Sequence, residues 1–219
     1  MLFKKVIMYC TPLLLFFRIL ELTFNHQLIY YIHPKYITFS VVLVVFALVI
    51  SLSHKNTTTM KKSELLLYTL LIIFLCLPAQ TLSGSVAENR NQKSITVKSA
   101  QPTMYDSFAQ DFSNYNLQDW SAFLNSYRGA LDVSGKKASI SGFLFYEKEQ
   151  AYIARFKLSC CAVDATPITV PIQYDDTTLP LIAGNWYEVE GVFERSNDSF
   201  MLNIQKATSI PQPEQPYVY

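Results

Sequence analysis

Ser159-Cys160-Cys161-Ala162-Val163-Asp164-Ala165 is the densest run of reactive side chains in the sequence. Two adjacent thiols with a carboxylate three residues on have two chemical uses. They could close a vicinal disulfide, which is strained and readily reduced, or offer two soft ligands to a metal ion with Asp164 as a third. The plain alternative is packing: neighbours on a strand face opposite ways, so one Cys would point into a core while the other shares a turn. Reduced thiols are disfavoured in an oxidising compartment, so both readings stay open for the trio. A complete four-ligand zinc site cannot be written from this segment alone, and nothing else in the chain calls for a cofactor.

A second pair with chemical potential is Arg18 and Glu21, set in a long run of Leu, Ile and Phe. Three apart on a helix, they share a face and can pair, which lowers the cost of placing either charge in lipid. That makes them a contact for a partner inside the membrane. The competing reading is that this end of the helix is shallow and both side chains reach toward water.

The remaining chemistry is sparse. His26, His33 and His54 all lie in the first third of the chain, so the C-terminal half has no imidazole to act as base or metal ligand. No glycine pattern for phosphate or dinucleotide binding occurs, and no GxSxG elbow. Glu188 and Glu190 alternate with Val189 and read as a solvated strand face. Adjacent cysteines lack the CxxC spacing that suits thiol exchange, so an enzyme is not expected.

What must position these residues is a chain of two unlike halves. The 219 residues are 50% hydrophobic and 16% charged, with a net charge of +1. Residues 1–82 carry seven Lys or Arg and two acids, for +5; the rest carries 11 basic and 15 acidic residues, for −4. Near-neutral charge without a basic tract excludes nucleic-acid binding driven by phosphate neutralisation.

Residues 1–87 are expected to form a transmembrane region with spans at about 6–32, 36–53 and 65–87. The central one contains VVLVVFALVI and is the plainest. A secretory signal is the alternative for the first, and a processing site near Pro78, Ala79 and Ser83 is open for the third. Lys4 and Lys5 precede the first span, and His54, Lys55, Lys61 and Lys62 separate the second from the third. The positive-inside rule then places the N-terminus in the cytoplasm and the C-terminal domain outside it, in a multi-pass protein of the cell membrane.

Residues 88–103 read as a polar linker and 104–219 as the extracytoplasmic domain. Asn116 can cap a short amphipathic helix through Leu117, Trp120, Leu124 and Tyr127, with Asp119 in its first turn and Gly129 past its end. Five strand-like runs follow, at 138–147, 152–159, 168–174, 186–195 and 200–208. So few strands hide their edges best by closing, which predicts a small OB-like β-barrel, with Gly142 and Gly191 at its corners. The fold class is an α+β membrane protein: transmembrane helices, then one helix and the barrel.

The segments YIHPKY, ISGFLFYE, ARFKLSCCAVDATPITV, GNWYEVEG and PEQPYVY occur in an order that resembles a family of bacterial permease subunits. CCxxDAxP, at Cys160, Cys161, Asp164, Ala165 and Pro167, is the most specific element. The resemblance spans nearly the whole chain. It implies a non-catalytic accessory subunit of a two-component membrane permease complex, partnered by a larger multi-span permease subunit in the lipid bilayer. It attaches no role to the Cys pair and does not reach Arg18 or Glu21. The competing function is a membrane-anchored module that senses metal or redox state through Cys160 and Cys161.

Overall fold

The computed structural model describes residues 2–53, 62–94, 112–127, 132–196 and 199–219. Outside them fall His54, Lys55 and Lys61 of the basic loop, residues 95–103 of the expected linker, and Gly129. The chain forms two units. One comprises Met1–Thr81 with Cys160–Ala162; the other comprises Leu82–Ser159 with Val163–Tyr219.

In the first unit, long apolar runs give α1 (Leu2–Phe24), which carries Pro12 within it, α2 (Ile37–Ser53) and α3 (Lys62–Leu75). α1 packs against both α2 and α3. It stops where His26 takes a left-handed conformation, φ 55°, and the chain tightens into a 3-10 turn, Gln27–Tyr30, that buries Leu28 and Ile29. The first apolar segment therefore does not continue as one helix to Ile32. Among the described residues one stretch, Pro34–Ser51, is long and apolar enough to cross a membrane, with a mean hydropathy of 2.0. α3 has 14 residues, and at about 1.5 Å per residue it falls short of a hydrocarbon core about 30 Å thick. Its helix ends before Pro78, whose ring cannot continue the ladder. Three spans were expected, and the helices support one.

The second unit opens with α4 (Gly84–Ser94), across the boundary drawn at residues 87 and 88. Ala87 is fully buried on its inner face, and α4 packs on the sheet. α5 (Leu117–Tyr127) begins as its sequence predicts. Asn116 Oδ1 accepts from the N–H groups of Gln118 and Asp119 at 2.8 and 3.2 Å, and Asp119 Oδ2 accepts from the Asn116 N–H at 3.1 Å. This reciprocal cap satisfies the first-turn donors.

Six strands follow: β1 (Lys137–Glu147), β2 (Gln150–Lys157), β3 (Thr166–Gln173), β4 (Trp186–Ser196), β5 (Ser199–Ile210) and β6 (Tyr217–Val218). They form one sheet in the order β1-β4-β5-β3-β2-β6, and β1 pairs with β2 as well. β1 divides its length between partners: Lys137–Phe143 face β4, and Phe143–Glu147 face β2. Gly142 sits at the changeover, where an added Cβ would stand 2.4 Å from the Ala154 carbonyl oxygen. Gly191 marks a register shift between β4 and β5, and a Cβ there would stand 2.2 Å from the Asn203 carbonyl oxygen. The core is built from alternate strand residues, including Leu144, Ile153, Val170, Val189 and Leu202, closed by Trp120 and Phe123 of α5.

Candidate functional site

The Cys pair occupies the connection between β2 and β3. β2 ends at Lys157, a single 3-10 turn covers Ala162–Asp164, and β3 begins at Thr166. Cys160 is exposed, Cys161 is half-buried, and their Sγ atoms lie 3.5 Å apart. Neither thiol enters the core, so the strand-like alternation that would send one Cys inward is absent. The turn brings Asp164 back toward the pair, and its Oδ1 accepts from the Ser159 N–H at 3.3 Å. One donor atom from each of Cys160, Cys161 and Asp164 falls within 4.8 Å of the others.

The backbone of this segment is held within the first unit. Cys161 forms an antiparallel bridge with Ile32. The His33 N–H donates to the Cys160 carbonyl at 2.9 Å, and the Ala162 N–H donates to the Tyr31 carbonyl at 2.8 Å. Tyr31 and His33 belong to the YIHPKY segment, so two sequence signatures far apart in the chain form one two-stranded bridge. The His33 ring adds local order, accepting from the Lys35 N–H at Nδ1 over 3.0 Å as the turn Pro34–Tyr36 begins. Sequence reading separated the histidines from the thiols and missed this pairing.

Within the second unit, Arg90 of α4 donates through Nη1 to the Ala165 carbonyl at 2.7 Å, one residue beyond Asp164. Arg90 fell in the expected linker and carried no signal of a structural role.

Arg18 and Glu21 do pair: Nη1 to Oε2 is 2.7 Å. Arg18 Nη2 also donates to the Leu77 carbonyl at 2.7 Å. Arg18, without Glu21, lines a cavity of about 470 Å³ within the first unit, walled mainly by apolar residues such as Leu15, Leu22, Leu28 and Phe74. The cysteine and arginine clusters are separate groups of residues.

A third feature lies in the second unit, a cavity of about 420 Å³ that includes Ser139, Ser141, Arg155 and Tyr217. Arg155 donates from Nε to the Ser141 carbonyl at 3.0 Å and from Nη2 to Ser141 Oγ at 2.9 Å, with its guanidinium 5.3 Å from the Trp186 ring centre. Burial pushes its basicity below the usual arginine value, although a guanidinium stays charged in proteins.

Chemically, the thiol pair with its carboxylate has the donor set of a soft or borderline cation site. The other two clusters use their cations to satisfy backbone carbonyls.

No curated protein matches the chain in sequence. The model of the DUF1980 C-terminal domain matches residues 110–219, which takes in α5, all six strands and the CCxxDA segment. With half of its length covered by that domain, the chain belongs to the DUF1980 family.

Proposed function

We propose that the chain is a non-catalytic accessory subunit of a two-component membrane permease. Its α1–α3 region docks in the bilayer against a multi-span partner, and its C-terminal domain works on the extracytoplasmic side. The observation that carries this reading is the apolar surface of the first unit. Phe17, Phe39, Phe46, Leu66 and Phe74 are each more than half exposed, from 58% to 68%. Such density on three helices is unsustainable in water and calls for lipid or other membrane helices. Three helices enclose no conduit of their own, which makes a larger permease the natural neighbour. The family resemblance in the sequence points the same way.

Two finer points belong to the same reading. The first is three membrane passes with the N-terminus inside, as the sequence positions of Lys4, Lys5 and Lys62 favour, with the short α3 crossing where the bilayer thins to meet it. The strand pairings β1-β4-β5-β3-β2 with β1 again on β2 support an OB-like closed barrel for the outer domain, since they return to their starting strand.

A photocrosslinking residue at Phe46, followed by purification in mild detergent, tests the docking. A discrete crosslink to one multi-span membrane protein is expected. A chain that crosslinks only to lipid and migrates alone overturns the proposal. Fusing alkaline phosphatase after Tyr219 tests the orientation: an active fusion is expected, and an inactive one reverses it.

A further inference from the structure

We infer that Cys160, Cys161 and Asp164 form a binding site for a thiophilic divalent cation of the zinc class. The inference stands on the geometry of one short turn and is independent of the permease reading.

The spacing matches the ion. Two thiolates about 2.3 Å from a shared tetrahedral zinc sit roughly 3.8 Å apart, and a carboxylate oxygen about 2.0 Å from the same ion sits roughly 3.5 Å from each sulfur. The two Sγ atoms are 3.5 Å apart, and all three donors fall within 4.8 Å of one another. Small side-chain rotations close the remaining difference.

The backbone supports convergence instead of packing. Adjacent residues on a strand diverge, yet these two thiols meet because the chain leaves β2 and turns. The bridge to Ile32 and the bonds from His33 and to Tyr31 hold the main chain on both sides of Cys161. Asp164 is oriented by the Ser159 N–H on Oδ1, the kind of outer contact that fixes a ligating carboxylate.

The donor set also defines the type of site. Two thiolates and one carboxylate bring three negative charges to a divalent ion, and on binding the two thiol protons pass to solvent. Among the described residues three ligands converge, which leaves the fourth tetrahedral position for water or an incoming donor, so the ion can exchange. Structural zinc sites are closed by four protein ligands. The exposure of Cys160 gives the ion its path in.

The test uses the full chain in detergent, reduced and stripped of metal, with Cys10 and Cys76 replaced by Ser so that only this pair reports. Titration with Zn²⁺ against a chromophoric chelator is expected to give one equivalent. Cys160→Ser or Cys161→Ser should each weaken binding by at least about a hundredfold, and Asp164→Asn by at least about tenfold, since losing a ligand costs no less than losing one of the outer contacts that support it. Co²⁺ in place of Zn²⁺ should give a thiolate-to-metal charge-transfer band that either Ser variant diminishes. Should a Ser variant fail to fold, protection of both thiols from alkylation by one equivalent of Zn²⁺ in the unaltered pair gives the same answer. Absence of the cobalt band, equal Zn²⁺ binding by the double Ser variant, or a pair that only forms a disulfide and never retains metal would overturn the site.

Discussion

Arg18 donates through Nη2 to the Leu77 carbonyl oxygen at 2.7 Å, tying the middle of α1 to the chain just beyond α3. α3 ends at Leu75 and Pro78 follows, so the last carbonyls of that helix lack the ladder partners a longer helix would supply. In apolar surroundings an unsatisfied carbonyl is costly, and a charged donor is the strongest available partner.

This relationship separates the two members of the charged pair. Glu21 is 54% exposed at its side chain and Arg18 20%, so solvent screens their ion pair, which contributes about 0–1 kcal/mol. A hydrogen bond from a charged group to the carbonyl contributes about 1.5–3 kcal/mol. Arg18→Met should therefore lower stability in detergent by about 1.5–3 kcal/mol, while Glu21→Gln should cost less than about 1 kcal/mol. Unfolding of both variants by a denaturing detergent measures the difference. Equal losses would show that the ion pair, and not the Leu77 carbonyl, is what Arg18 is for.

The glycines at the strand changeovers predict a sharper result. At Gly191 an added Cβ would meet the Asn203 carbonyl oxygen at 2.2 Å, and at Gly142 the Ala154 carbonyl oxygen at 2.4 Å. Both obstacles are backbone, so neither can swing aside as a side chain would. Gly142→Ala and Gly191→Ala should each destabilise the domain by at least about 1–3 kcal/mol, the usual range for overpacking. Gly135→Ala is an instructive contrast: nothing lies within 4 Å of its Cβ position, and its φ of 78° is the sole source of strain. Thermal melts of the three variants should rank Gly135→Ala as the mildest.

Those two glycines were legible in the sequence because a glycine inside an otherwise β-branched and aromatic run has few other reasons to be there. The five longer strands and the Asn116 cap were legible for a similar reason, since period-2 alternation and a capping residue are local signals. β6 was not, because two residues, Tyr217 and Val218, carry no period. α4 was read as linker from a polar composition, and its helix depends on tertiary contacts: Ala87 buried against the sheet and Arg90 bonded to the Ala165 carbonyl. The site was half visible. Cys160, Cys161 and Asp164 were marked by type and spacing, but the support that Tyr31, Ile32 and His33 give to Cys160–Ala162 consists of backbone bonds across more than a hundred residues of chain, which no local pattern encodes. The first and third spans were overextended because hydropathy ignores where a helix stops. His26 and Pro78 mark the ends that the apolar runs concealed.

Trp120 is fully buried, and among the described residues its indole Nε1 has no hydrogen-bond partner. The ring still packs well, stacked on Phe112 at 5.2 Å and tilted against Phe193 at 4.5 Å between centroids. The unsatisfied N–H carries a desolvation cost of about 1–3 kcal/mol. Trp120→Phe removes that cost while leaving a modest void, so it should stay within about 1 kcal/mol of the parent chain. Trp120→Ala loses the ring outright and should cost about 3–5 kcal/mol. Chemical denaturation of the two variants measures this, and a Phe variant as unstable as the Ala variant would mean that the indole N–H is satisfied in solution.

Asp175 and Asp132 make the acid limb of stability predictable in sign. Asp175 Oδ1 accepts from the Thr177 hydroxyl at 2.7 Å and from the Thr177 N–H at 2.9 Å, and these two bonds, the hydroxyl first, hold its carboxyl below the usual aspartate value. Asp132 is lowered in the same manner by Ser134, whose N–H donates to its Oδ1 at 2.8 Å. A carboxylate whose folded pKa is depressed binds fewer protons when folded than when unfolded. Its stabilising contribution is therefore complete above the ordinary aspartate value of about 4 and disappears as pH falls through the lowered one. Melting temperature followed downward from about pH 6 should hold level and then decline below about pH 4. In the double variant Asp132→Asn/Asp175→Asn the decline should be shallower, because an amide keeps an acceptor for the turn but has no proton to gain. Thr177→Val is the complementary test: without the hydroxyl bond, the Asp175 carboxyl should titrate closer to the ordinary value, while Asp132 remains low. An acid limb of the same steepness in the parent and the double variant would place the pH sensitivity elsewhere in the chain.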